Sequence, residues 1–124
     1  MAFLITTLGP KTVDEVGMIL PHEHIFVDMQ TLESGPAQVE TRDVVALMAP
    51  EIEKAKAVGV TALVECTPFG VGRRVDFAKV VSEATDFPIV VPTGIYREPW
   101  VPQWAHDMGE DALCDWMLSE LQGE

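Results

Sequence analysis

The run Val60-Thr61-Ala62-Leu63-Val64-Glu65-Cys66 lies between Gly59 and Pro68 and consists almost wholly of β-branched and apolar residues. A continuous apolar run of strand length, without polar alternation, marks a strand buried on both faces, and such strands belong to parallel sheets covered by helices. A second run of this character, Pro88-Ile89-Val90-Val91-Pro92-Thr93-Gly94, follows it along the chain. A longer stretch, Met18-Ile19-Leu20-Pro21-His22-Glu23-His24-Ile25-Phe26-Val27-Asp28-Met29, precedes it and is mainly apolar with polar residues embedded.

Helical patterns separate these runs. Val44, Met48, Ile52 and Ala55, with Val45 beside them, recur at helical spacing after Thr41, which has N-cap chemistry, and before Gly59, which is placed to stop the helix. Pro50 falls inside that pattern and predicts a kink or a break into two shorter helices. The glycine-rich turn Phe69-Gly70-Val71-Gly72-Arg73 leads into a helix through Phe77, Val80, Val81 and Ala84. A loop rich in Pro, Trp and Tyr is expected over 95–109. A last helix, from about Glu110 to Gln122, sets Leu113, Trp116, Met117 and Leu121 on one stripe. Ahead of all this, residues 3–8 read as a short strand ended by Gly9-Pro10, and residues 30–40 read as loop. Strands alternating with helices mean βαβ units, a parallel sheet and right-handed crossovers. The fold class is therefore α/β, either a doubly wound sheet or a (β/α)₈ barrel. No GxGxxG turn follows the first strand, which removes the main signal for a dinucleotide-binding sheet.

Composition narrows the function. The 124 residues are 48% hydrophobic, enough to bury a core and too much for a disordered tail. Eight basic against 20 acidic residues give a net charge of −12, and residues 98–124 carry Glu98, Asp107, Glu110, Asp111, Asp115, Glu120 and Glu124 without a Lys or Arg. Nucleic-acid binding needs cations to displace phosphate counterions, so neither nucleic acid nor an anionic membrane is an expected partner. No apolar run reaches the roughly 18 residues of a membrane span, and no basic residue precedes the short apolar run at the N-terminus. The expected location is the cytoplasm, with Cys66 and Cys114 reduced and used as small apolar residues.

Two of the three histidines stand one residue apart, in His22-Glu23-His24. On a strand, residues i and i+2 share a face, so both imidazoles can converge on one metal ion while Glu23 points away. The alternative is a pair of histidines that merely cap a strand end. Their position at the C-terminal end of a buried strand, where parallel barrels carry their active sites, favours the metal.

The sequence resembles the phosphotriesterase family of the amidohydrolase superfamily. Gly17-Met18-Ile19-Leu20-Pro21-His22-Glu23-His24 is similar to the family's opening motif, with Ile19 where Thr is usual. Val64-Glu65-Cys66-Thr67 followed by Gly70-Val71-Gly72-Arg73 is similar to its second-strand pattern, and Thr93-Gly94-Ile95-Tyr96 to its third. The resemblance implies a (β/α)₈ TIM barrel and a hydrolase of phosphotriesters or lactones with two divalent cations, usually zinc, in the complete site. His22 and His24 would bind the more buried metal. The family's bridging carboxylated Lys, two further histidines and late Asp have no counterpart here. Lys79 falls in a helix, and His106 reads as a surface-loop histidine.

A barrel of this kind needs about 250 residues. Residues 1–124 are therefore expected to form the N-terminal three βα units of one metal-dependent hydrolase domain, incomplete in this chain. Two readings follow: the chain supplies the HxH ligands of a hydrolase acting on a small ester or lactone, or it is an inert remnant or complementing module. Unclosed strand edges predict self-association or stability beside a complementing chain. Tyr96 is a candidate substrate contact, or else a packing aromatic beside Trp100, and no catalytic residue is assigned. Trp100 and Trp104 are candidates to line an apolar leaving-group pocket. Arg74 stands where the resemblance expects Asp, and Arg73 is expected to hold a loop by bonding backbone carbonyls. Glu65, an acid at the top of a buried strand, needs a partner, and its role is open.

Overall fold

The computed structural model describes residues 2–30 and 32–122; Thr31, in the stretch expected as loop, lies outside them. A hairpin of β1 (Phe3–Thr6) and β2 (Gly9–Thr12) leads into β3 (Met18–Glu23) and α1 (Thr41–Ala57). There follow β4 (Val60–Glu65), α2 (Val75–Thr85), β5 (Ile89–Val90), α3 (Gln103–Asp107) and α4 (Glu110–Gln122). The strands β3, β4 and β5 form a parallel sheet in that order, the arrangement expected of consecutive βα units.

The central strand β4 is buried or half-buried along its whole length, as its unbroken apolar sequence requires. Val60 and Leu63 join Ile89 of β5, Val44 and Ile52 of α1, and Phe77 and Val81 of α2 in one core. The buried face of α2 comprises Phe77, Ala78, Val81, Ser82 and Thr85, whereas Val80 and Ala84, expected inside, are exposed. The face is rotated because Ser82 and Thr85 satisfy their hydroxyls internally. Thr85 donates to the Val81 carbonyl at 2.7 Å and Ser82 to the Phe87 carbonyl at 2.6 Å.

Several expectations are corrected. Gly9-Pro10 does not end the first strand segment but opens β2, the turn being Thr7-Leu8. Gly9 adopts a φ of 88°, and Pro10 sits in an edge strand, where a missing N–H is tolerated. The hairpin is stitched to the sheet: the Thr7 N–H donates to the Ile89 carbonyl at 2.8 Å. Helix α1 runs unbroken through Pro50. The bond that proline forfeits is to the Ala46 carbonyl, and both residues are exposed, so water can take its place. Glu40, with extended backbone, is its N-cap, and Thr41 is already helical. Regular pairing of β5 is confined to Ile89–Val90 because Pro88 and Pro92 bring no N–H to the ladder. Residues 95–109 contain the short helix α3 rather than loop alone. No residue of α4 is buried, and Leu121 of its expected stripe is 67% exposed.

Phe77 is 1% exposed and meets Phe26 edge-on, with ring centroids 5.1 Å apart. Phe77→Ala is expected to cost about 3–5 kcal/mol, while Val80→Ala on the outer face of the same helix stays within about 0.5 kcal/mol. Urea midpoints of the two variants check this.

Candidate metal centre

The pairing of β3 with β4 is irregular at both ends. Met18 faces Val60, Ile19 Ala62, Leu20 Leu63 and Glu23 Glu65, with register shifts between Met18 and Ile19 and between Leu20 and Glu23. Pro21 has no N–H to give, so the ladder lapses over Pro21-His22 and resumes where the Cys66 N–H donates to the Glu23 carbonyl at 2.8 Å. His22 stands in this bulge and His24 just beyond it. Both are exposed, and their ring centroids lie 5.4 Å apart, edge to face at 72°. The two rings are thus neighbours, as the i, i+2 spacing requires.

His24 is tied down from below. Its Nδ1 lies 2.8 Å from the Thr67 hydroxyl and 3.8 Å from Glu65 Oε1. Thr67, fully buried, also bonds Glu65 Oε1 through its hydroxyl, the Phe26 carbonyl at 2.9 Å, and Glu65 Oε2 through its N–H at 3.1 Å. Burial pushes the Glu65 carboxyl above the usual range, and the Thr67 hydroxyl, the Thr67 N–H, His24 and the Ile25 N–H offset this only in part. The open role of Glu65 is thereby filled: its partners are Thr67 and His24. Sequence reasoning passed over Thr67. The signal was available, since Thr67 shares the i, i+2 face of Glu65 and a buried carboxylate demands donors there.

Two imidazoles, one with its second nitrogen already engaged, fit the nitrogen half of a divalent-metal donor set. Among the described residues no group of three or more His, Cys, Asp or Glu side chains is placed to hold a metal. His106 lies on α3 and pairs with Glu98 at 2.8 Å. Tyr96 packs beside Trp100, ring centroids 5.7 Å apart, and its N–H donates to the Phe69 carbonyl at 2.9 Å. Trp104 stacks edge-on between Phe69 and Trp116, both at 5.3 Å. Cys66 lies 3.7 Å from the Pro21 carbonyl, whereas Cys114 is exposed on α4 and does not serve as a buried apolar residue.

The loops after β3 and β4 enclose a cavity of about 260 Å³, lined among others by Phe26, Leu32, Phe69 and Arg73. Asp28 braces one wall by accepting from the Gln30 and Ala37 N–H groups, both at 3.0 Å. Gly72, at φ 87°, lets the second loop approach so closely that a Cβ there would come within 2.6 Å of the Asp28 nitrogen. Among the described residues Arg73 bonds a carboxylate rather than backbone carbonyls. Its Nη1 donates to both carboxylate oxygens of Glu120 on α4, at 2.7 and 2.8 Å, and Thr93 donates to the same carboxylate at 2.5 Å. A partner 47 residues away on a helix of unknown docking could not be read from sequence. Arg74 pairs with Asp76 at 2.6 Å and covers the Phe77 ring at 3.6 Å, which accounts for it as a helix-start residue.

The structure is a parallel α/β sheet with an HxH pair at the C-terminal end of its first strand. The model of the phosphotriesterase family matches residues 2–123. A phosphotriesterase homology protein of Mycobacterium tuberculosis is 32% identical over 93% of this chain and 36% of its own. An aryldialkylphosphatase of Saccharolobus solfataricus is 26% identical over 95% of this chain and 38% of its own. Among solved structures, the organophosphorus hydrolase of Deinococcus radiodurans superposes with a TM-score of 0.81 at 26% identity, over 93% of this chain and 37% of that one. The chain belongs to the phosphotriesterase family. It spans little more than a third of the length of these relatives.

Burial pushes the Glu120 carboxyl up, but the Arg73 and Thr93 hydrogen bonds and the Arg73 charge together hold it below its ordinary value of 4.5. A carboxylate lowered on folding adds stability above its unfolded pKa and loses it as pH falls through the folded one. The stability gap between the protein and Glu120→Gln is therefore expected to be present near about pH 7 and to shrink as pH falls through and below the ordinary carboxylate range. Urea unfolding across that range measures it.

Proposed function

We propose that this chain contributes His22 and His24 as ligands of a divalent metal, zinc foremost, in a hydrolase centre that takes two such ions when complete and acts on small phosphotriesters or lactones. The observation that supports this most directly is the His22–His24 pair beside the β3 bulge, with His24 Nδ1 already held at 2.8 Å by Thr67. The names of the similar proteins, aryldialkylphosphatase and organophosphorus hydrolase, favour the phosphotriester side. When bound, such an ion lowers the pKa of its water towards neutrality and polarises the phosphoryl or carbonyl oxygen under attack. The work of this chain is to present two imidazoles, that of His24 held by Thr67, with Tyr96 after β5 as the substrate contact.

A second reading has its own support. The chain presents two donors rather than a full set, and among the described residues β3 pairs on one side only while the outer edge of β5 meets Thr7 of the hairpin rather than a further strand. Residues 1–124 then act as the N-terminal, HxH-bearing part of a hydrolase domain, inert alone and completed by a complementing polypeptide or by self-association. The substrate is a small molecule in both readings, and a net charge of −12 opposes nucleic acid and anionic membranes. No helix among the described residues is long and apolar enough to cross a membrane. The cytoplasm is the proposed location.

Zinc affinity measured by competition with a chromophoric chelator is expected to fall about tenfold or more in His22→Ala and in His24→Ala. Unchanged affinity in either variant overturns the ligand assignment. The chain alone is expected to show no turnover of aryl dialkyl phosphates or lactones and to sediment above its 13.6 kDa monomer mass. Chelator-sensitive turnover by a 13.6 kDa species would overturn the second reading and leave the first.

A further inference from the structure

We infer that Glu65 and Thr67 are positioning residues for His24: through the Thr67 hydroxyl they hold its imidazole in the Nδ1–H tautomer and leave Nε2 as the nitrogen free to take a ligand. The consequence for metal affinity rests on the function proposed above; the tautomer does not.

The inference follows from counting protons. The Thr67 oxygen has three polar neighbours: His24 Nδ1 at 2.8 Å, the Phe26 carbonyl at 2.9 Å, and Glu65 Oε1. A hydroxyl owns one proton and two lone pairs. The Phe26 carbonyl can only accept, and so can an ionised Glu65. Thr67 therefore gives its proton to one of these oxygens, and Nδ1, the remaining neighbour, must donate. Were Glu65 protonated at Oε1, it would donate to Thr67 and Thr67 to Phe26, and the second lone pair would still face Nδ1–H. Both protonation states of the acid lead to one tautomer. The reverse arrangement, a bare Nδ1 accepting from Thr67, always leaves one more acceptor facing a lone pair: two instead of one with Glu65 ionised, and the Phe26 carbonyl instead of none with Glu65 protonated.

No water can repair such a mismatch, because Thr67 is 0% and Glu65 5% exposed. An unsatisfied buried acceptor costs more than a hydrogen bond contributes. The carboxylate is itself fixed, since its Oε2 accepts the Thr67 N–H at 3.1 Å. The local sequence supplies this arrangement with few residues. Glu65 and Thr67 alternate onto one face of β4 and its extension, and Phe26 follows His24 by two on the neighbouring segment. The imidazole itself stays exposed. A histidine bonded in this way at one nitrogen is oriented at the other before any ion arrives.

The test is nitrogen-15 NMR of the metal-free, histidine-labelled chain at about pH 8, where imidazoles are neutral. It is run in solution, or by magic-angle spinning where the protein associates. His24 is expected to show a protonated Nδ1 and a bare Nε2, the reverse of the tautomer favoured by free imidazole side chains. His106, whose Nε2 lies 2.8 Å from Glu98 Oε1, is the internal contrast with a protonated Nε2. Thr67→Val, which keeps the volume and deletes the hydroxyl, is expected to release His24 to the Nε2–H form and to weaken zinc binding about 10–100-fold. Thr67→Ser is expected to restore both. A protonated Nε2 on His24 in the unmodified chain overturns the inference without recourse to any variant, as does a Thr67→Val chain that keeps the original tautomer. Zinc binding that ignores removal of His24 while the tautomer result holds would overturn the metal reading alone.

Discussion

The parallel pairing of β3 with β4, broken at Pro21-His22, is the constraint on which the rest of the molecule depends. A regular ladder would carry β3 straight past the end of β4. The missing N–H of Pro21 instead bulges the strand, and the Cys66-to-Glu23 hydrogen bond re-anchors it one step later. That re-anchoring seats His24 over Thr67 and brings both histidines to the same exposed end of the sheet. The helices α1 and α2 cover the core from one side, so the sheet end is left to the loops after β3, β4 and β5.

Those loops are held by polar struts rather than by apolar burial. Asp28 braces the first, Gly72 lets the second lie against it, and Arg73 reaches over to Glu120 and Thr93. The Arg73–Glu120 pair is largely shielded, and two hydrogen bonds from one guanidinium nitrogen to one carboxylate fix the position of α4 more tightly than its half-exposed apolar stripe could. The Phe69–Trp104–Trp116 stack adds packing on the same side. The aromatic loop after β5 is therefore part of the scaffold. Trp104 in particular is a packing residue, where the sequence equally allowed a pocket wall.

What could be read from sequence was whatever depended on local pattern. Val60–Cys66 announced a central strand, and the closeness of the His22 and His24 rings followed from their i, i+2 spacing. The alternation of strands and helices carried the fold class. Where the reading failed, a second element had decided. The inward face of α2 is set by the hydroxyls of Ser82 and Thr85, which look polar in sequence and are satisfied only by the fold. The passage of α1 through Pro50 depends on that turn facing water, and the choice of Glu120 by Arg73 depends on where α4 docks. Glu65 lies between these cases: its need for a partner was legible, while the identity of the partner required the β3–β4 register.

The Glu65 carboxyl also shows how stability and chemistry are coupled here. A buried acid is costly in a sheet this small, and a hydrophobic residue at position 65 would pack without any requirement for donors. What the acid provides is an acceptor deep enough to fix the Thr67 hydroxyl, and through it one nitrogen of an otherwise mobile surface imidazole. Orientation is thus set during folding rather than at the moment of ligand binding, and the entropy of holding the ring is not charged against the ion. A pair of histidines without that support would have the right spacing and the wrong freedom. On this argument the chemistry of His24 is inseparable from the strand beside it, and a polypeptide carrying the HxH motif without the Glu65–Thr67 face would present two imidazoles, neither of them held from that strand.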